Sequence, residues 1–188
     1  MTSPNTPARR GFLQTISGLT AGLASLGSWQ AQAQTKTSKA SSMKRASGAK
    51  YMGDFVAPKL DKVKVAIIGV GARGAGHAAQ LASIEGVQFV GIADVVEARA
   101  KKSEAAVLKF GHTPKVYFGD ENGWRTMLAE TKPDAVFIAT PWDSHATMAI
   151  ASMKAGAHAF VEVPIATTLK DMWDIVDTSE ATGRHCMM

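Results

Sequence analysis

The sequence predicts an α/β fold: a doubly wound, all-parallel sheet with helices on both faces. Three observations lead there. From Val63 to Met188, short apolar runs alternate with stretches of helical periodicity, through six strands. The central run, Asp134–Thr140 (DAVFIAT), is continuously apolar, as in a strand covered on both faces. The first run leads directly into glycines spaced G-x-G-x-x-G at Gly69, Gly71 and Gly74. The expected strand order is 3-2-1-4-5-6, which places ligands at the carboxyl ends of the strands.

The elements follow in order. Strand 1 is Val63–Ile68, and the glycine turn after it opens a helix over Gly74–Ile84. In this reading Gly69 lets the chain reverse, Gly71 removes a side chain where a pyrophosphate approaches, and Gly74 lets helix pack closely on strand. The helix N-terminus supplies free N–H groups and a positive dipole end, both favourable to phosphate. A purely structural glycine turn is the competing reading.

Gly86 precedes strand 2, Val87–Ala93, which ends at Asp94, 23 residues after Gly71. A carboxylate there can accept both hydroxyls of an adenosine ribose and repels a 2′-phosphate, so NAD is favoured over NADP. Asp94 could instead cap the next helix, and Arg73 in the glycine loop could meet phosphate. A charged helix follows at Val96–Phe110, then strand 3 at Lys115–Phe118 and a short helix at Trp124–Glu130. Strand 4, Asp134–Thr140, ends in a turn, Pro141–His145, that opens a helix over Ala146–Ala155. Strand 5 is His158–Val163, broken by Pro164. The helix Thr168–Thr182 puts Leu169, Met172, Trp173, Ile175 and Val176 at core spacing, and strand 6 begins at Arg184. The glycine turn, Asp94, Trp142–His145 and Glu162-Val163 all fall at carboxyl ends, which points to one site.

Bulk properties narrow the function class. The net charge of +5 belongs to the leader: the first fifty residues hold seven of the 21 basic residues and none of the 16 acidic ones. The rest is slightly acidic, so there is no case for a nucleic-acid surface. One cysteine, Cys186, excludes an internal disulfide, and no Cys/His spacing matches a metal site.

Residues 1–33 read as a twin-arginine export signal: Arg9-Arg10-Gly11-Phe12-Leu13, a weakly apolar segment Ile16–Trp29, and an A-x-A site at Ala31–Ala33. That segment is too short for a membrane span, which needs about 20 apolar residues, so no stable membrane anchor is expected. The alternatives are a general secretory signal or a plain tail. Residues 34–59 read as a flexible linker and 60–188 as the folded domain. Export in the folded state implies a periplasmic or secreted protein carrying a tightly held, recycled cofactor.

The chain resembles the glucose–fructose oxidoreductase / inositol dehydrogenase superfamily, which pairs a Rossmann domain with a C-terminal α/β substrate domain. The matching features are the glycine loop, Asp94, T-P-x-x-x-H at Thr140–His145, and A-G-x-H-x-x-x-E-x-P at Ala155–Pro164. Dehydrogenases of that superfamily usually read E-K-P, whereas this sequence reads Glu162-Val163-Pro164. With Trp142-Asp143-Ser144-His145, the run MWDIVDTSE at Met172–Glu180 and HCMM at His185–Met188, it is similar to glycoside hydrolase family 109, the NAD-dependent α-N-acetylgalactosaminidases.

The resemblance implies NAD contacts at Ala72-Arg73, Asp94, Trp142, Asp143, Ser144, His145, Glu162 and Val163. Trp142 could merely cover the cofactor edge, and His145 could be a helix-start residue with no ligand. His112, His158 and His185 read as structural or exposed. The resemblance also implies hydrolysis of a small-molecule glycoside by transient oxidation at sugar C3, elimination, water addition and re-reduction. The implied acid and base, a histidine and a tyrosine, lie in the second domain beyond residue 188, so no catalytic residue is expected in this chain. The expectation is a domain cut within strand 6, with the substrate domain missing, poor solubility at its exposed edge and a homo-oligomer as one possible state. An exported NAD(P)-dependent sugar oxidoreductase and a non-catalytic dinucleotide-binding fragment are the alternatives.

Overall fold

The computed structural model describes residues 50–188. The signal and most of the linker expected from the sequence lie outside the described residues. The order is β1 (Val63–Ile68), α1 (Gly74–Ala82), β2 (Val87–Ala93), α2 (Glu97–Leu108), β3 (Lys115–Tyr117), α3 (Gly123–Thr131), β4 (Ala135–Ile138), α4 (Trp142–Lys154), β5 (His158–Val161), α5 (Leu169–Thr182) and β6 (Cys186–Met187). The six strands form one sheet in the order β3-β2-β1-β4-β5-β6, with every pairing parallel. This is the predicted doubly wound topology.

Each strand divides its side chains between two layers, because successive residues point to opposite faces. Val65, Ile67 and Ala135 pack with Ala78 and Ala82 of α1 and Val107 of α2. Ala66, Ile68, Val136 and Ile138 pack on the other face with Trp124 and Met127 of α3, Ala149 and Met153 of α4, and Ile175 of α5. Phe137 and Phe160 stack at 4.7 Å on the α1 side and are only half-buried, since among the described residues no helix continues that layer over β5 and β6.

Two local features differ from the sequence expectation. The helix expected to begin at Ala146 begins at Trp142, with Pro141 at the N-cap and Asp143 in the first turn, where its charge complements the helix dipole. Trp142–His145 are therefore the first turn of α4 rather than a preceding loop. In α5, Thr168 caps the N-terminus by accepting the Asp171 N–H at 3.1 Å, and Gly183 ends it in the left-handed region at φ 62°. Of its five core-spaced apolar residues only Ile175 is buried; Leu169, Met172 and Val176 are exposed.

Candidate functional site at the carboxyl edge of the sheet

The glycine turn does what its spacing requires. Gly69 adopts φ +83°, and a Cβ there would lie 2.7 Å from the Ala139 carbonyl oxygen. A Cβ on Gly74 would sit 1.9 Å from the Gly69 carbonyl oxygen, so this first residue of α1 rests directly on the turn. Gly71 is different. Its nearest neighbour would be a guanidinium nitrogen of Arg99 at 3.9 Å, which leaves open space above its backbone. Two glycines are thus demanded by the protein's own packing, and the third leaves room for a ligand backbone to approach. Ala72 and Arg73, beside it, are exposed.

Asp94 is tied to this turn. One carboxylate oxygen accepts the Val70 N–H at 2.8 Å and the other accepts the Val96 N–H at 2.8 Å. It does not cap α2, whose N-cap is Val96 and which has no side-chain cap. A carboxylate offers about four lone-pair sites, and these two bonds leave acceptor capacity for a ribose diol. The residues present therefore fit a dinucleotide: an open glycine backbone for the pyrophosphate and a fixed carboxylate beside it.

The first turn of α4 closes a further part of the edge. Trp142 is 64% exposed. Asp143 is exposed, while the Ser144 hydroxyl donates to the Pro141 carbonyl at 2.7 Å and lies 2.7 Å from the Thr140 hydroxyl. His145 is fully buried. Its Nδ1 lies 2.8 Å from the Pro164 carbonyl oxygen and its Nε2 2.8 Å from that of Thr140. No ring nitrogen is left for a ligand, so the imidazole fastens the turn after β4 to the turn after β5.

Glu162 follows β5, its N–H donating to the Ile138 carbonyl at 2.9 Å. Its carboxylate lies 2.5 Å from Nε2 of His77 in α1. That hydrogen bond is the chief reason its carboxyl is held below the usual range; the neighbouring charges of His77 and Arg73 and the Val163 N–H act in the same direction, against desolvation. Val163 is 59% exposed. His77, the partner of Glu162, is the residue beside the candidate site that sequence reasoning missed. Its spacing from the glycine turn places it one turn into α1, but nothing local marks a partner 85 residues away.

His158 and His185 lie at the opposite, amino-terminal edge, where His158 Nδ1 accepts the His185 N–H at 2.9 Å and His185 Nε2 lies 3.1 Å from the Phe55 carbonyl oxygen. His112 holds the Ala82 carbonyl at 2.9 Å. All three are structural. Among the described residues, no group of three or more His, Cys, Asp or Glu is placed to hold a metal ion.

A parallel sheet with an open glycine turn and a tethered carboxylate at its carboxyl edge defines a dinucleotide-binding domain. The comparisons make the class specific: residues 63–188 match the oxidoreductase family with an NAD-binding Rossmann fold, and the chain belongs to that family. It is 46% identical over 190 residues to a glycosyl hydrolase family 109 protein of Akkermansia muciniphila, covering 96% of this chain and 40% of that protein. It is 40% identical over 182 residues to an α-N-acetylgalactosaminidase of Shewanella oneidensis, covering 96% and 38% respectively. This chain therefore spans about two fifths of the length of those relatives. Among solved structures, the WlbA dehydrogenase of Bordetella pertussis in complex with NADH and UDP-GlcNAcA matches with a TM-score of 0.55 and 27% identity, over 65% of this chain and 35% of that one.

Proposed function

We propose that this chain is the NAD-holding part of a glycosidase that hydrolyses α-N-acetylgalactosaminides. The observation that carries this reading is 46% identity to a family 109 protein and 40% to an α-N-acetylgalactosaminidase, each across 96% of the chain. When bound, NAD supplies reversible hydride removal at sugar C3, which makes elimination and re-addition at C1 accessible.

The chain's own residues act on the cofactor. Gly69, Gly71 and Gly74, with Ala72 and Arg73, receive the pyrophosphate, and Asp94 takes the adenosine ribose. Trp142, Asp143 and Ser144 border the opposite side of the cleft, with His145 holding their turn in place. Glu162 and Val163 border its sugar-facing end. Val163 can neither donate a proton nor hydrogen-bond a hydroxyl, so the dehydrogenase lysine function is absent from this position. No pair of facing carboxylates is assigned to ordinary glycosidase chemistry. The acid and base are therefore proposed to lie outside residues 1–188, and this chain alone to be without turnover.

The similarity to a dehydrogenase solved with NADH supports a second reading, net sugar oxidation within the same family. Export through the twin-arginine route is proposed on the Arg9-Arg10 motif and the A-x-A site.

The test is mass spectrometry and absorbance on the purified chain, native and then denatured, together with a chromogenic α-N-acetylgalactosaminide. Stoichiometric release of NAD without sugar release supports the reading. Sugar release by this chain alone refutes its inactivity, and NADH accumulating with sugar supports the oxidoreductase instead. Absence of NAD binding, in both the purified and the NAD-supplemented protein, overturns the cofactor assignment.

A further inference from the structure

We propose that His77 is a positioning residue for the bound cofactor, orienting the Glu162 carboxylate at the edge of the cleft. The inference rests on the reading of this cleft as the NAD site.

His77 lies on the helix that leaves the glycine turn, three residues after Gly74. Side chains on a helix tilt toward its N-terminus, so the imidazole is carried toward the ligand end of the sheet. There its Nε2 meets Oε1 of Glu162 at 2.5 Å, joining α1 to the end of β5. Arg73 of the glycine turn acts electrostatically on the same carboxylate, which brings the turn and Glu162 into one neighbourhood.

The surroundings make this pair directional. His77, Glu162 and Val163 line a cavity whose other walls include Phe137, Phe160 and Met187. In an apolar cavity, a few fixed polar groups set a ligand's orientation. With Oε1 engaged by His77 and the Val163 N–H also bonded to the carboxylate, Glu162 is fixed in place and keeps further lone pairs to accept from a ligand group that donates, such as a ribose hydroxyl. A glutamate side chain without such a tether samples several rotamers, and ordering it on binding costs affinity.

The pair is unsuited to a mainly structural role. The His77 and Glu162 side chains are 37% and 24% exposed, and ion pairs near the surface add little to stability. Removing the imidazole should leave folding intact and weaken the ligand.

The experiment measures NAD affinity by calorimetry, and the ligand-free melting temperature, for the full chain and its variants. For His77→Ala the expected result is about a tenfold loss of NAD affinity, the order of one charge-assisted hydrogen bond. The ligand-free melting temperature should stay unchanged. His77→Gln, which keeps an N–H donor, should restore most of the affinity, and His77→Ala should cost nothing further in a Glu162→Ala background. Unchanged affinity in His77→Ala overturns the proposal while the NAD site stands. So does an equal loss in the Glu162→Ala background, a failure of glutamine to restore binding, or a parallel fall in ligand-free stability. No binding by the unaltered chain overturns both the proposal and the cofactor reading.

Discussion

The carboxylate of Asp94 accepts the backbone N–H of Val70 at 2.8 Å, joining the end of β2 to the glycine turn after β1. One side chain thus serves the turn and keeps lone pairs with which it can accept from a ligand. Replacement by alanine removes both functions. Asp94→Ala is expected to destabilise the domain by about 1–3 kcal/mol, the cost of orphaning the part-buried Val70 N–H, and to weaken NAD binding beyond detection in the low-micromolar range. Chemical denaturation and calorimetry check the two effects.

Gly71 and Gly74 should separate binding from folding. A Cβ on Gly74 would meet the Gly69 carbonyl oxygen at 1.9 Å, whereas one on Gly71 meets nothing closer than 3.9 Å. Gly74→Ala should cost about 3 kcal/mol or more through forced displacement of the turn. Gly71→Ala should fold with nearly unchanged stability yet lose NAD affinity. If Gly71→Ala binds NAD as before, the pyrophosphate does not pass over this backbone.

His145 should matter for stability more than for direct ligand contact. Its ring is fully buried between the carbonyls of Thr140 and Pro164. His145→Ala removes the ring that donates to a buried carbonyl and opens a cavity, so a loss of about 2–4 kcal/mol is expected. Hydrogen exchange should show faster opening at the start of α4 and in residues 162–166.

Stability should fall on mild acidification. Burial lowers the His158 pKa from its ordinary 6.5, helped by the charges of Arg184 and His185 and opposed by Asp134. The unfolded chain therefore takes up a proton at a higher pH than the folded one. The stability this group contributes is present above about pH 6.5 and is lost as pH falls toward the folded-state value. Protonation at Nδ1 would also remove the acceptor for the His185 N–H. Melting curves from pH 7.5 to 5 should show the decline, and His158→Asn should flatten it.

Cys186 should be inert in the native state. Burial pushes its thiol from an ordinary 9.0 up to about 11. That shift lowers the reactive thiolate fraction about a hundredfold at neutral pH. Alkylation with iodoacetamide at pH 8 should be slow in the folded protein and rapid in denaturant; equal rates would show that β6 does not hold the thiol as described.

The sequence by itself determined the topology. Continuous apolar runs alternating with helical stretches admit few arrangements once crossovers are right-handed, and the sheet order β3-β2-β1-β4-β5-β6 is the expected one. It also determined the carboxyl-edge positions of Gly69–Gly74, Asp94, Trp142 and Glu162, because each ends or follows a strand whose direction the alternation dictates. Helix starts were less legible: Pro141 suggested a turn, yet its backbone feeds α4 directly at Trp142. Only the tertiary structure decided what the side chains do there. It buried His145 between two backbone carbonyls, bonded Asp94 to both Val70 and Val96, and brought His77 to Glu162. The reason is physical. Periodicity and turn chemistry act over a few residues, whereas these bonds join side chains to groups brought together when separate strands and helices pack.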